Sequence, residues 1–267
     1  MVFIAPSFDI PRLNAYLLTD LSDDELSSFK KTFELGTYAP FNPILELVIK
    51  KAPEDYLGKP HSYMRTKEDS AGRVDSFVLI DERAVQEGAV WYVDRFADED
   101  EVDEEQAEST SVLWQILVKT ECLPLAYVNY SIGNMSIQED LDSCGVDFPA
   151  KECFEQSEVY DCGGLDVAAE RHTQNAWATA EPGEFEVSTD EALRKNFAPM
   201  PDRVGRLKED IAKQAGLRSD WTFCGGAGPR DLPDGTKKEF PEGSVTLQLY
   251  YDPDFPWPPY KWPEGSL

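Results

Sequence analysis

Apolar residues in the first half of the chain occur in short blocks that predict both strands and helices. Four runs rich in β-branched and aromatic residues are typical of strands. Ser22 and Ser136 each precede a glutamate by three residues, a spacing that forms a capping box and predicts the start of a helix. The predicted strands are residues 14–19, 76–80, 89–96 and 111–118. The predicted helices begin at Ser22 and Ser136, cover 43–51 and, with a strand as the alternative, cover 124–130.

The second half of the chain has a less regular pattern. Gly-Gly and Pro-Gly pairs interrupt residues 146–190 and predict turns there. Alternation of apolar and polar positions near the end predicts a late strand, and the proline-rich stretch after it is typical of an extended surface segment. The predicted elements are a helix over residues 166–177, a helix over about 201–215, a strand over 244–251 and a Pro/Trp-rich tail over 252–263.

These elements predict an α/β fold that leans towards α+β. A small mixed sheet with flanking helices forms a domain over residues 1–148, and a C-terminal extension over residues 149–267 packs on it. We find no internal repeat and no clear linker between the two parts.

Charge is the property that departs most from an ordinary protein. The chain has 25 Lys and Arg against 51 Asp and Glu, which gives a net charge of −26. Such a surface repels phosphate backbones and anionic lipid headgroups, so nucleic acid is disfavoured as a partner and no membrane association is expected. Eight of the acidic residues lie within residues 98–108, which have no basic residue. We predict a mobile acidic surface loop over residues 97–109.

Several features indicate the compartment. No run approaches the ~20 apolar residues of a membrane span. The N-terminal segment has no basic start and no small-residue cleavage site, so we expect no secretory signal. The five cysteines are odd in number and are expected to be reduced thiols. We therefore expect a soluble, cytoplasmic protein.

Four segments of the first half carry a resemblance to a known family. They are Leu-Leu-Thr-Asp-Leu-Ser-Asp-Asp at 17–24, Phe-Val-Leu-Ile-Asp at 77–81, Val-Trp-Tyr-Val-Asp at 90–94 and residues 127–140, which contain Ser-Ile-Gly-Asn-Met. In type and order they resemble the domain-of-unknown-function family numbered 6924, over roughly residues 14–148. The resemblance implies a compact intracellular α/β domain and no particular reaction. The acidic loop and the residues after Phe148 are additions to that pattern.

Cys162 and His172 are the candidate catalytic residues. Cys162 precedes a Gly-Gly turn and a predicted helix, and a helix N-terminus favours a thiolate. His172 is the candidate base, although it lies within that predicted helix. The alternative is a packed thiol without catalytic function. Cys144, Cys153 and Cys162 lack the paired spacing of zinc sites, so we expect no metal and no cofactor.

Arg230 and Trp257 are the candidate ligand-binding residues. Arg230 ends the glycine-rich segment 224–230, a composition that suits an anion, and Trp257 lies in an aromatic tail that suits a pocket or an interface. The alternatives are a flexible loop and a tail that only covers the sheet. We expect a binding or interaction module for an unknown protein or small-molecule partner. The alternative is a cofactor-independent enzyme, for example in a biosynthetic pathway, that acts on a small organic molecule by acid/base or cysteine-thiol chemistry.

Overall fold

The computed structural model describes residues 2–5 and 10–267, and these divide into two units. The mixed-sheet unit comprises residues 10–39, 43–167 and 260–267. The antiparallel-sheet unit comprises the described residues up to 5 together with 40–42 and 168–259. Both units draw on separate parts of the chain, so neither corresponds to one continuous stretch of sequence.

The strands and helices are numbered here in chain order. The strands are β1 (Phe3–Ile4), β2 (Arg12–Leu17), β3 (Glu46–Lys51), β4 (Phe77–Ile80), β5 (Ala89–Phe96), β6 (Leu113–Lys119), β7 (Asn175–Ala180), β8 (Phe185–Ser188), β9 (Val204–Leu207), β10 (Thr222–Gly226), β11 (Arg230–Asp231), β12 (Lys237–Lys238) and β13 (Val245–Tyr250). The helices are α1 (Asp23–Gly36), α2 (His61–Ser70), α3 (Glu82–Glu87), α4 (Glu99–Asp103), α5 (Leu123–Ser131), α6 (Ile137–Ser143), α7 (Val167–Glu170), α8 (Glu191–Arg194) and α9 (Glu209–Ala215), with 3₁₀ turns at Glu54–Tyr56 and Arg171–Thr173.

The mixed-sheet unit is built on a five-stranded sheet in the order β3-β2-β4-β5-β6. β2 is parallel to β3 and β4, whereas β5 is antiparallel to β4 and β6. Side chains of α1, α5 and α6 pack on one face and side chains of α2 pack on the other, while α3 contributes Val85 to the first cluster and Ala84 to the second. Because both faces are covered, all four residues of β4 are buried. The α/β fold class predicted from the sequence is confirmed.

The last residues of the chain cover the outer edge of β3. Leu267 donates its N–H to the carbonyl of Ile49 at 2.9 Å, and the Ile49 N–H donates to the Ser266 hydroxyl at 3.1 Å. Trp262 anchors this segment, since its ring centroid lies 5.6 Å from that of Phe33 and its indole N–H donates to Glu34 at 2.8 Å. A free strand edge is a template for unwanted pairing, and this tail occupies it.

The antiparallel-sheet unit is built on a six-stranded sheet in the order β1-β7-β13-β10-β9-β8, in which every neighbouring pair is antiparallel. The predicted late strand over residues 244–251 is confirmed as β13. The aromatic tail packs around Gly216, which has a φ of +67°. A Cβ at this position would lie 2.4 Å from the Trp257 ring, so the glycine permits the ring to approach the backbone.

Three predicted helices are wrong in whole or in part. Residues 43–51 form β3 instead, because residues 46–51 pair in parallel with β2 along their full length. In the segment 166–177 the helix ends at Glu170, and β7 begins at Asn175 to pair with β13. Within 201–215, β9 precedes helix α9, because residues 204–207 pair with β8 and β10. In each case pairing with a distant strand outweighs the local helical pattern.

The acidic segment 97–109 is not a mobile loop. Residues Glu99–Asp103 form helix α4, and Glu101 within it is buried. Asp98 caps the helix by accepting the Glu101 N–H, and the Glu101 carboxylate accepts the Asp98 N–H in return. Local capping therefore orders a segment whose composition alone predicts self-repulsion.

Within the described part of the chain, no helix is both long enough and apolar enough to cross a membrane.

Candidate functional site

The predicted catalytic residues belong to different units. Cys162 lies in the mixed-sheet unit, in the turn that precedes α7. His172 lies in the antiparallel-sheet unit, where its Nδ1 accepts a hydrogen bond from the Arg218 guanidinium at 2.9 Å. The pairing of Cys162 as nucleophile with His172 as base therefore stays a prediction.

The predicted ligand-binding residues both make contacts within the antiparallel-sheet unit. Arg230 begins strand β11 and donates from Nη2 to the Thr246 hydroxyl at 3.1 Å. Trp257 donates its indole N–H to the Asp252 carbonyl at 2.8 Å, and its ring centroid lies 4.8 Å from that of Phe255. These contacts hold both side chains in place, and their role in ligand binding stays a prediction.

The acidic segment is organised around the buried carboxylate of Glu101. Arg95 binds it through two parallel hydrogen bonds of 2.9 Å each. Trp114 donates its indole N–H at 3.0 Å, and the Gln138 amide donates at 2.7 Å. Together with the Asp98 N–H, these donors come from β5, β6, α6 and the start of α4, so one side chain connects four parts of the unit.

The ionised form of Glu101 is favoured in this environment. Burial acts to raise its pKa, but hydrogen bonds from Arg95, Trp114 and the Asp98 backbone outweigh burial and hold the pKa below its ordinary value. Arg95 also forms an ion pair with Asp98, because its guanidinium lies 3.2 Å from the Asp98 carboxylate. The carboxylates of Glu101 and Asp98 together neutralise the positive charge of Arg95.

A cleft of about 1050 Å³ opens beside this network. Its aromatic wall is the half-buried ring of Phe148, which stacks on the buried ring of Trp114 with centroids 6.4 Å apart. Arg95 is the one basic residue in that lining. Six acidic residues line the cleft: Asp94, Glu101, Glu104, Glu105, Glu139 and Asp142. The cleft therefore combines a strongly negative rim with an aromatic wall.

The exposed acids of the rim differ in how firmly they are held. Glu139 accepts the Ser136 N–H at 2.7 Å, and Glu104 accepts from the Gln106 amide at 3.1 Å. Among the described residues, the carboxylates of Glu105 and Asp142 accept no hydrogen bond and form no ion pair. These two carboxylates are free to meet a cation from outside the chain.

A smaller cleft of about 470 Å³ contains Cys162 together with Cys144, Asp140 and Tyr160. Asp140 is buried, and the Tyr130 hydroxyl donates to its Oδ2 at 2.6 Å. Burial raises the pKa of Asp140 above its ordinary value, although both tyrosines act to lower it.

The Cys162 thiol is directed towards a second cysteine. Its Sγ lies 3.7 Å from the carbonyl oxygen of Cys122, the buried residue that precedes helix α5. The segment is fixed beside β6 by two backbone hydrogen bonds, Tyr160 N–H to Leu117 at 2.9 Å and Lys119 N–H to Tyr160 at 2.8 Å. Cys122 was not among the residues predicted from the sequence, because it lies 40 residues from Cys162 and carries no motif.

The tyrosines around Asp140 predict a loss of stability at alkaline pH. Burial, followed by hydrogen bonding to Asp140, raises the pKa of Tyr130 and Tyr160 above the ordinary value of 10.0. The unfolded chain ionises these groups first, so their contribution is present below pH 10 and is lost as pH rises further. Urea unfolding between about pH 8 and about pH 11 measures this loss. Tyr130→Phe is expected to flatten the decline, whereas the exposed-site control Tyr250→Phe keeps the wild-type slope. Equal slopes for all three proteins contradict the assignment.

Within the described residues, no three side chains of His, Cys, Asp or Glu are arranged to hold a metal ion. Comparisons of the chain with protein-family models, with curated proteins and with solved structures find no match. The resemblance to the family numbered 6924 therefore stays a prediction.

Proposed function

We propose that the protein is a binding module whose large acidic cleft accepts a basic segment of a partner polypeptide. The observation that carries this proposal is the combination of six acidic residues and one neutralised arginine around a cleft of about 1050 Å³. A lysine or arginine side chain that enters the cleft meets carboxylates at the rim. Opposite charge of this kind steers a basic partner and selects against an acidic one.

The aromatic wall supports a polypeptide with long basic side chains as the occupant. The methylene stem of lysine or arginine packs on apolar surface while its charged head stays near the rim. A cation over an aromatic ring gains roughly 0.5–2 kcal/mol in addition. Phe148 and Met135, both half-buried, supply such surface within the lining. The cleft exceeds the volume that most small-molecule sites need, ~300–1,000 Å³.

The test is the binding of a fluorescently labelled peptide of alternating lysine and alanine, followed by fluorescence anisotropy. A variant that carries E104Q, E105Q, E139Q and D142N removes the exposed charges of the rim while the side-chain shapes remain. Each exposed charge contact contributes roughly 0.2–1 kcal/mol, so we expect the variant to bind about tenfold more weakly or worse. Added salt is expected to weaken wild-type binding, because exposed charges are screened.

The matched control removes four exposed acids of the same unit that do not line this cleft: D24N, E54Q, E82Q and E87Q. Both variants have the same net charge, so a general attraction to the acidic surface weakens both equally. We expect the control to bind within about twofold of the wild type. An equal loss in the two variants, or the absence of wild-type binding, overturns the proposal.

A further inference from the structure

Cys162 occupies a position that combines access with a nearby second thiol. It is half-buried and lines the smaller cleft, whereas Cys122 behind it is 3% exposed. The backbone at Cys162 has a φ of +56°, and Gly163 and Gly164 continue in the same left-handed region. This turn is closed by Asp161, whose side chain accepts the Gly164 N–H at 2.9 Å. The chain therefore holds the sulfur between the open cleft and Cys122.

The groups around Cys162 favour its thiolate. Hydrogen bonding with the Cys122 thiol lowers the pKa of Cys162, and the Tyr160 hydroxyl contributes in the same direction against the opposing effects of burial and nearby carboxylates. The same contact between the thiols raises the pKa of Cys122. The thiolate is the nucleophilic form of cysteine, so Cys162 is the more reactive of the two.

We propose that Cys162 is a hydroperoxide-reactive thiol and that Cys122 is the residue that resolves it as an intramolecular disulfide. In the first step the Cys162 thiolate attacks the terminal oxygen of the hydroperoxide. The sulfur–oxygen bond forms, the oxygen–oxygen bond breaks, and the departing oxygen takes up a proton to leave as water or an alcohol. Cys162 is thereby oxidised to the sulfenic acid and the hydroperoxide is reduced.

In the second step the Cys122 sulfur attacks the sulfur of the sulfenic acid. The disulfide bond forms, the sulfur–oxygen bond breaks, and hydroxide leaves with the Cys122 proton as water. The sum is two thiols and one hydroperoxide giving one disulfide, one water and one further water or alcohol. A dithiol reductant restores the starting state.

The two clefts share Met135 and Glu139 in their linings, so E139Q also lies at the smaller cleft. None of the four rim substitutions changes a cysteine, Tyr160 or Asp140. Loss of peptide binding and loss of thiol reactivity can therefore be measured separately in the same preparations.

The test treats the full-length wild-type protein with hydrogen peroxide, alkylates the remaining thiols under denaturing conditions and maps the peptides by mass spectrometry. We expect a Cys122–Cys162 linked peptide that disappears after reduction. Cys153 is the internal control, because it is exposed and so reports reactivity due to access alone. Cys162 is expected to be oxidised about tenfold faster than Cys153.

Two variants separate the steps. C122S is expected to stop at the sulfenic acid of Cys162, which a 1,3-diketone probe labels, and C162S is expected to abolish both labelling and the linked peptide. If a buried serine makes C122S unstable, C122A is used instead to detect the sulfenic acid of Cys162, and the peptide map of the wild type still tests for the linked peptide. Faster oxidation of Cys153, or a linked peptide that joins Cys162 to Cys144 instead, overturns the proposal.

Discussion

Replacement of Glu101 by alanine is expected to lower the free energy of unfolding by about 3 kcal/mol. The carboxylate accepts hydrogen bonds from Arg95, Trp114, Gln138 and the Asp98 backbone, and its side chain is 11% exposed. Alanine leaves the Trp114 N–H, which is fully buried, without its acceptor. A buried N–H donor without an acceptor lowers the free energy of unfolding by ~1–3 kcal/mol, and loss of the helix cap lowers it by a further ~1 kcal/mol.

Urea unfolding followed by circular dichroism measures this effect. Glu104→Ala is the matched control, since Glu104 lies in the same acidic segment but is exposed, and its removal is expected to change stability by less than about 0.5 kcal/mol. Glu101→Gln keeps the shape without the charge and is expected to fall between the two. Equal stabilities for Glu101→Ala and Glu104→Ala contradict the network.

Glu101→Ala is also expected to change how the stability of the protein depends on pH. Because the folded protein holds the pKa of Glu101 below its ordinary value of 4.5, the carboxylate stabilises the fold above that pH. Its contribution is lost as pH falls through the lowered pKa. The wild type is therefore expected to lose more stability than Glu101→Ala does between neutral pH and about pH 3, and parallel curves contradict the assignment.

Gly36→Ala is the second substitution with a large expected effect, a destabilisation of about 3 kcal/mol. Gly36 is the last residue of α1, and a Cβ there would lie 2.0 Å from the carbonyl oxygen and 2.6 Å from the carbonyl carbon of Glu121. Both are backbone atoms, so no side-chain rotation relieves the overlap. Helix α1 and the start of α5 must separate to accommodate the methyl group.

Close packing and helix propensity predict opposite effects of Gly36→Ala on stability. Helix propensity alone favours alanine over glycine by about 1 kcal/mol, so without the close approach the substitution stabilises the protein. Gly228→Ala is the control, because its Cβ meets nothing within 4 Å and its φ is ordinary. It is expected to leave the melting temperature within a few degrees of the wild type. Stabilisation by Gly36→Ala contradicts the packing described here.

The sequence predicts those elements whose signals are local. The capping boxes at Ser22 and Ser136 are observed with both hydrogen bonds in place, and the strands β4, β5 and β6 follow from their apolar runs. Residues 43–51 were predicted as a helix because the spacing of Leu45, Val48 and Ile49 fits a helical period as well as a buried strand. Parallel pairing with β2 makes residues 46–51 a strand, and this long-range contact cannot be recognised in the local sequence pattern.

The candidate sites were predictable only in part. Cys162 stands out in the sequence because of the Gly-Gly turn, but Cys122 comes beside it only through the contact of Tyr160 with β6. The capping pair of Asp98 and Glu101 can be read from the acidic segment. The donors from Trp114 and Gln138, 13 and 37 residues further on, require the folded chain.

The cover over β3 has a consequence for the order in which the unit assembles. Ser266 and Leu267 occupy hydrogen-bonding groups of Ile49, and the Ile49–Ser266 contact spans 217 residues of sequence. Closing so long a loop costs chain entropy before the contact stabilises anything, so contacts of this kind form late in folding. Until residues 260–267 dock, the outer edge of β3 is open to pairing with other molecules.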